Sequence, residues 1–132
     1  MMLEVYSRSK DGGKKLSANF QVSEFACKDG SDPVFIDGDL VALLQAVREH
    51  FGRPVIISSG FRTAAHNKVV GGAAYSQHCY GRAADIRVPG VSVEQLAACA
   101  ESLLPGTGGI GRYPAKGFVH VDVRKVKSRW AG

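Results

Sequence analysis

The sequence predicts a single α+β domain in which a small antiparallel sheet is flanked by helices, and three observations support this prediction. The chain has 132 residues, which is enough to bury one hydrophobic core without disulfide bonds. Its hydrophobic fraction of 45% is typical of a globular protein, and no apolar run approaches the roughly 20 residues that span a bilayer. Helical and strand patterns are mixed without steady β-α-β alternation, which favours α+β over a parallel α/β fold.

The amino-terminal part of the chain carries weak local signals. Residues 7–15 are polar and glycine-bearing and predict a loop, so residues 1–15 are assigned to an amino-terminal arm or loop. The domain itself is predicted over residues 16–132. Ser23 is expected to cap a short helical turn, and the polar and glycine residues at 28–33 predict a turn.

The central segment contains a clear helix and a buried strand. At residues 37–51, leucine and valine recur at helical spacing, and aspartates at the start suit the positive amino end of a helix. Residues 55–59 are a β-branched run between chain breakers, which predicts a buried strand. Thr63 is expected to cap a short helix that ends near residue 68, and the glycine-rich residues 69–75 predict a loop.

The last third of the chain predicts a strand, a helix and a hairpin. Residues 83–88 are expected to form a strand that ends at a Pro-Gly pair. A Ser-x-x-Gln capping box opens a predicted helix over residues 92–104. Two further strands are expected at residues 110–113 and 118–123, joined into a hairpin by a turn that contains proline and glycine.

The formal net charge of +5 indicates attraction to polyanions. Nucleic acid and the anionic polymers of a bacterial cell wall both fit that charge. The basic residues are scattered and lack the interleaved aromatic residues that are typical of single-strand binders, so no nucleic-acid partner is expected. A generally basic surface without a specific partner is the alternative explanation.

Cysteine usage and the first residues both bear on location. Three cysteines without a Cys-x-x-Cys pair predict reduced thiols. Cys79 could be a thiolate ligand beside His78. A free thiol is expected instead, because neighbouring residues of an extended segment point to opposite sides. The first residues lack a basic region followed by an apolar stretch, so we expect a cytoplasmic protein. We also expect a monomer without membrane insertion.

Two short motifs offer metal-ligating side chains. Residues 76–85 contain His78 and Asp85, and a later predicted strand contains His120. Alternate residues of a strand share a face, so Asp85 and His120 can meet if their strands are neighbours. His78 can then reach them from the preceding loop. Two neutral imidazoles and one carboxylate suit a zinc ion that keeps its fourth position open, as catalytic zinc does.

Several candidates have a simpler explanation. A lone histidine is more often a hydrogen-bonded polar residue than a metal ligand, and we adopt that interpretation for His50 and His66. Asp85 alone could be a strand-end or turn carboxylate. Asp122 could form an ion pair with Arg124, two residues further on.

The fixed positions of residues 76–85 are filled as Ser-x-His-x-x-Gly-x-Ala-x-Asp, which resembles the signature of the zinc D-alanyl-D-alanine peptidases. That family shares its fold with the hedgehog signalling domain and includes peptidoglycan-cleaving phage endolysins. Residues 59–62, Ser-Gly-Phe-Arg, resemble an upstream element of the family. Residues 117–122 resemble the last ligand strand of the branch that ends His-x-Asp, and the similarity covers residues 16–130.

The resemblance implies that His78, Asp85 and His120 hold Zn²⁺ and that the protein hydrolyses amide bonds in peptidoglycan peptides. It also implies a role for Arg62, which would bind a substrate carboxylate or the developing oxyanion through its fixed donor fork. A surface arginine that caps a loop is the alternative for this residue.

The general base is the least defined part of the resemblance. Many relatives carry glutamate three residues before the last histidine ligand, or histidine two residues before it, where this chain has Gly117 and Phe118. Asp122 is the nearest carboxylate on the same strand face as His120. We therefore expect Asp122 to act either as the base or as the residue that orients His120.

These observations predict a zinc peptidase that acts on bonds containing D-amino acids in peptidoglycan, either as a carboxypeptidase or as an endopeptidase. The lack of a visible signal fits a phage or prophage lysis enzyme that reaches the wall after release. The alternative is a non-catalytic, zinc-containing module of the same fold that binds wall fragments or a protein partner. Tyr80, Tyr113 and Trp130 are candidates for lining a substrate groove, with ordinary aromatic packing as the alternative.

Overall fold

The computed structural model describes residues 3–132 and confirms the predicted α+β fold. Its elements are, in chain order, β1 (Leu3–Ser7), α1 (Arg8–Asp11), β2 (Lys15–Ser17), β3 (Phe20–Gln21), a 3-10 helix (Val22–Phe25), β4 (Pro33–Asp37), α2 (Gly38–Phe51), β5 (Ile56–Ser59), α3 (Ala64–Val69), a second 3-10 helix (Gln77–Tyr80), β6 (Ala83–Arg87), α4 (Val93–Leu103), β7 (Gly109–Tyr113), β8 (Phe118–Asp122) and β9 (Ser128–Ala131). None of the helices within residues 3–132 is both long and apolar enough to cross a membrane.

Five strands form the central sheet, in the order β5-β6-β8-β7-β9. The first three pairs are antiparallel, as predicted, whereas β9 joins the edge parallel to β7. Sequence analysis missed β9 because the contacts that hold this strand come from residues far away in the chain. The guanidinium of Arg129 donates hydrogen bonds to the Glu101 carboxylate of α4, at 2.8 and 2.9 Å, and to the Gly108 carbonyl at 2.6 Å. A basic segment therefore becomes part of the sheet edge.

The amino-terminal segment is more regular than the sequence predicts. Strand β1 pairs with β4, so the turn expected at residues 28–33 gives way to a strand at Pro33. The loop prediction for residues 7–15 is wrong at Ser7, which ends β1, at α1, and at Lys15, which begins β2. Residues 1 and 2 of the predicted arm lie outside the described residues.

A distant carboxylate explains this difference. Asp32 accepts hydrogen bonds from the hydroxyl of Ser7 at 2.7 Å and from the backbone N–H of Ser9 at 2.9 Å. The Ser7 hydroxyl also accepts from the backbone N–H of Lys10, which caps α1. The two bonds to Asp32 join residues more than twenty positions apart, so local sequence patterns do not reveal them.

The principal helices begin where the sequence predicts. Asp37 caps α2, Thr63 caps α3, and Ser92 forms the expected capping box of α4. Ser23, however, is not a cap. The first 3-10 helix is capped two residues earlier by Gln21, whose backbone N–H donates to the Glu24 carboxylate at 2.7 Å.

The sheet has an apolar face and a polar face. The apolar face packs against the helical layer, in which α4 contacts β7 and β8 and α2 contacts α4. The buried side chains of this core include Leu40, Leu44, Val47, Ala84, Ile86, Leu96, Ala97, Ile110, Val119 and Val121. Because side chains alternate along a strand, Asp85 and His120 point to the opposite face. The packing of the core therefore holds the polar face in place.

Gly81 is the turn residue that brings the second 3-10 helix into β6. Gly81 lies against the backbone of β4, so a Cβ added at this position would collide with the Phe35 carbonyl. Gly81 also has a φ of 70°, in the left-handed region that favours glycine.

The Gly81→Ala change is expected to lower the free energy of unfolding. A side chain in the left-handed region costs about 1–2 kcal/mol, and the collision with Phe35 adds about 1–3 kcal/mol. Urea unfolding measures the sum. Gly117→Ala is the matched control, because Gly117 has a φ of 76° but no atom within 4 Å of an added Cβ. Equal losses in the two variants would contradict the role of the Phe35 contact.

Candidate metal centre

His78, Asp85 and His120 meet on the polar face of the sheet. One possible ligand atom from each lies within 4.8 Å of the others, and all three residues are buried. Pairing of β6 with β8 places Asp85 directly opposite His120, which confirms the predicted meeting of these two residues. His78 reaches them from the 3-10 helix that immediately precedes β6.

The remaining signature residues hold this segment in position. The Ser76 hydroxyl caps the second 3-10 helix by accepting a hydrogen bond from the backbone N–H of His78 at 3.2 Å. Ala83 is completely buried, where a larger side chain would have to displace its neighbours. The motif therefore combines two candidate ligands with the residues that fix their backbone.

The orientation of the His78 ring is set by a backbone carbonyl. Its Nδ1 lies 2.8 Å from the carbonyl oxygen of Gly60. Because a carbonyl can only accept, Nδ1 carries a proton, and in the neutral ring Nε2 keeps its lone pair. That Nε2 lies 3.3 Å from Oδ1 of Asp85. Gly60, the second residue of the Ser-Gly-Phe-Arg element at residues 59–62, thus selects the His78 tautomer.

His120 lies between two carboxylates. Its Nε2 is 2.7 Å from Oδ2 of Asp122, and its Nδ1 is 3.0 Å from Oδ1 of Asp85. A neutral imidazole has one N–H and can donate to only one of them. Burial alone would lower the pKa of His120, but hydrogen bonds to Asp122 and Asp85 raise it above its usual value. The ring therefore requires either a second proton or a cation beside Asp85.

The donor set fits a zinc ion. If His120 donates to Asp122, as His78 donates to Gly60, two ring nitrogens present lone pairs to one carboxylate, an arrangement that a divalent cation would satisfy. Burial alone would raise the pKa of Asp85, but hydrogen bonds with His120 and His78 hold it well below its usual range. Two imidazoles and one ionised carboxylate are ligands that zinc commonly takes, with room for a fourth.

Asp122 contacts Nε2 of His120, the ring nitrogen that does not face Asp85. Its side chain is fully buried, and its two oxygens accept from the Arg124 guanidinium at 2.8 and 2.7 Å and from the backbone N–H of Gly109 at 2.8 Å. Burial would raise the pKa of Asp122, but hydrogen bonds from His120 and Arg124 keep it well below its usual range. The predicted ion pair with Arg124 and the predicted contact with His120 are therefore both present.

Arg62 lies beside Asp85 and is held along its length. Its Nε donates to the Ser59 hydroxyl at 3.0 Å, its Nη1 to Oδ1 of Asn67 at 3.2 Å, and its Nη2 to Oδ2 of Asp85 at 3.4 Å. Sequence analysis missed Asn67, which is buried on α3 and also donates to the carbonyl of Ala73. An asparagine one turn after the predicted cap Thr63 is the signal in the sequence, but the burial that gives it importance is visible only in the structure.

An open cleft of about 530 Å³ is lined by His78, Asp85, His120 and Arg62. Tyr113 and Trp130 line it as predicted, whereas Tyr80 lines a separate depression. Three basic side chains border the cleft, and Asp85 is the one carboxylate among the lining residues that the structure describes. The basic side chains are Arg62, Lys116 and Arg124. Their charges favour an anionic ligand.

Trp130 covers one side of His120. The two rings lie 5.0 Å apart, and the indole N–H donates to the Tyr113 hydroxyl at 2.8 Å. Gly111, the partner of Trp130 across β7 and β9, makes the space, because a Cβ there would collide with the indole. The Arg124 guanidinium lies 5.4 Å from the centre of the same indole ring. Sequence analysis did not reveal this contact, because it depends on β9.

Three curated proteins resemble parts of the chain. The "Probable peptidoglycan L,D-endopeptidase MepK" of Haemophilus influenzae is 38% identical over 78 residues, which is 55% of this chain and 40% of that protein. The peptidoglycan L,D-endopeptidase MepK of Escherichia coli K12 is 33% identical over 75 residues, with shares of 53% and 40%. The zinc D-Ala-D-Ala carboxypeptidase of Streptomyces albus G is 48% identical over 44 residues, with shares of 33% and 17%.

The matched region thus spans 40% or less of the length of these relatives. The match to a family covers much more of the chain. Residues 18–122 fit the family described as Peptidase M15, and this range includes His78, Asp85 and His120. The chain therefore belongs to the peptidase M15 family.

Proposed function

We propose that the protein is a zinc-dependent peptidase that hydrolyses amide bonds in peptidoglycan peptides. The observation that carries this proposal is the convergence of His78, Asp85 and His120 at a cleft, with both imidazoles oriented by acceptors on their far side. Family membership supports peptidase chemistry. Peptidoglycan is supported by the names of the endopeptidase and carboxypeptidase relatives.

In this proposal His78, Asp85 and His120 hold the zinc ion. When bound, zinc supplies a Lewis acid that polarises a peptide carbonyl and lowers the pKa of water. The chain itself supplies orientation. The Gly60 carbonyl and the Asp122 carboxylate fix the two histidine tautomers, so neither ring has to reorient when the metal binds.

Asp122 is proposed to orient His120 and not to act as the base. Its oxygens are occupied by His120, Arg124 and the Gly109 N–H, and its side chain is fully buried, away from the cleft. A base must come within hydrogen-bond reach of the proton it removes. The negative charge of Asp122 instead stabilises the protonated Nε2 of His120, which leaves Nδ1 free to bind metal.

Arg62 is proposed to bind a carboxylate of the substrate. Ser59 and Asn67 hold its guanidinium at the cleft wall, so little side-chain entropy is lost when a ligand binds. With Lys116 and Arg124 it gives the cleft a positive character that suits peptides rich in free carboxylates.

A second candidate function is a non-catalytic module that binds wall fragments. One observation favours it. Among the lining residues that the structure describes, the cleft holds no carboxylate other than the proposed ligand Asp85, so no acidic base is evident. The peptidase and the module differ in one measurable respect, because only the peptidase releases products.

The deciding experiment is mass spectrometry of purified peptidoglycan fragments incubated with zinc-loaded protein. We expect peptide products that disappear with a chelator and with His120→Ala, and that persist with His50→Ala, a histidine outside the centre. The product masses distinguish trimming of a terminal residue from cleavage within a peptide. Intact fragments from several wall types, with folded and zinc-loaded protein, would favour the binding module.

Asp122→Asn separates orientation from base catalysis. Loss of the carboxylate charge weakens the fixed tautomer of His120, so zinc affinity is expected to fall about 10–100-fold. Competition with a chromophoric chelator measures this affinity, and circular dichroism confirms that the variant is folded. Unchanged zinc affinity with abolished turnover would instead assign the base to Asp122.

Arg62→Lys tests carboxylate recognition. Lysine keeps the charge but loses the planar fork, so kcat/KM is expected to fall about tenfold or more for a substrate with a free carboxylate. The same peptide with that carboxylate amidated should show little difference between variant and parent. Arg82→Lys, an exposed arginine outside the cleft, is the matched control. Equal losses for both substrates would count against this role.

A further inference from the structure

A second group of metal-ligating side chains lies away from the first centre. Cys27 and Asp29 belong to the loop that follows the first 3-10 helix, and His66 belongs to α3. One ligand atom from each lies within 4.8 Å of the others. Cys27 is buried, His66 is half-buried and Asp29 is exposed, and none of the three lines the cleft. The mechanism proposed above does not use them.

A common anchor fixes two of these residues. Oδ2 of Asp29 accepts from the Thr63 hydroxyl at 2.8 Å, while that hydroxyl accepts from the backbone N–H of His66 at 3.1 Å. Oδ1 of Asp29 accepts from the backbone N–H of Ser31 at 2.9 Å. The Asp29 carboxylate and the backbone of His66 are therefore held by the same Thr63 hydroxyl, which sets the spacing between the loop and the start of α3.

The cluster already holds an anion beside a thiol. Hydrogen bonds from Ser31, Thr63 and Cys27 hold the pKa of Asp29 well below its usual range. The Cys27 thiol thus lies beside a carboxylate that hydrogen bonds stabilise in its ionised form. A divalent cation could replace the thiol proton, which would leave for solvent as the thiolate formed a bond to the metal.

We propose that Cys27, Asp29 and His66 form a second zinc site, whose remaining position faces solvent beside the exposed Asp29. Thiolate and imidazole select zinc over magnesium or calcium, which prefer oxygen ligands. The site has a structural role. It joins the loop to α3, the helix that carries Asn67, and Asn67 holds Arg62. Metal bound there stabilises the position of Arg62 at the wall of the cleft without contacting the reacting atoms.

Cobalt substitution tests this site independently of hydrolysis. A thiolate bonded to Co²⁺ gives a near-ultraviolet charge-transfer band, whereas the histidine and aspartate ligands of the first centre give none. Titration of the metal-free protein with Co²⁺ is expected to produce that band. Cys27→Ser should abolish it, and His66→Gln should abolish or weaken it. The band should persist in His120→Ala, which removes a ligand of the first centre.

Zinc analysis after gel filtration supplies the second measurement. We expect about two equivalents in the parent protein and about one in Cys27→Ser, in His66→Gln and in His120→Ala. Cys99→Ser is the matched control, because it removes a buried thiol elsewhere. One equivalent and no charge-transfer band in the parent would overturn the proposal. So would a band that Cys79→Ser abolishes and Cys27→Ser leaves intact.

Discussion

The register between β6 and β8 is the constraint on which the rest of the structure depends. It sets Asp85 opposite His120 and, on the other face, Ala84 opposite Val121 within the core. A shift of one residue would send His120 into the apolar layer and expose valines to the cleft. The hydrophobic core therefore fixes the register, and the register positions the candidate ligands. The stability of the fold and the geometry of the centre arise from one set of strand pairs.

Charge balance is the second constraint. Asp85 and Asp122 are both buried, and burial of an isolated charge is strongly unfavourable. Arg124 balances Asp122, whereas Asp85 has two imidazoles and a longer contact with Arg62. Asp85 is thus the less compensated anion, which favours a cation next to it. His120 connects the two carboxylates, so a change at either one alters the proton on the same ring.

The parts of the fold that could be predicted from the sequence depend on local patterns. The parts that could not be predicted depend on contacts between residues far apart in the chain. Strand alternation identified Asp85 and His120, and capping residues located the starts of α2, α3 and α4. In contrast, α1 depends on hydrogen bonds to Asp32, and β9 depends on Arg129 reaching α4. The same division holds at the centre. His78 was predicted from its motif, but the Gly60 carbonyl, Asn67 and Trp130 enter through tertiary contacts that no short pattern encodes.

The position of Trp130 also has a consequence for folding. The indole reaches His120 only once β9 has paired with β7 at the edge of the sheet. A chain that has paired β6 with β8 but has not yet added β9 holds its candidate ligands with one side still open to water. Closure of that side therefore depends on an edge strand, and not on the core that supports the ligands.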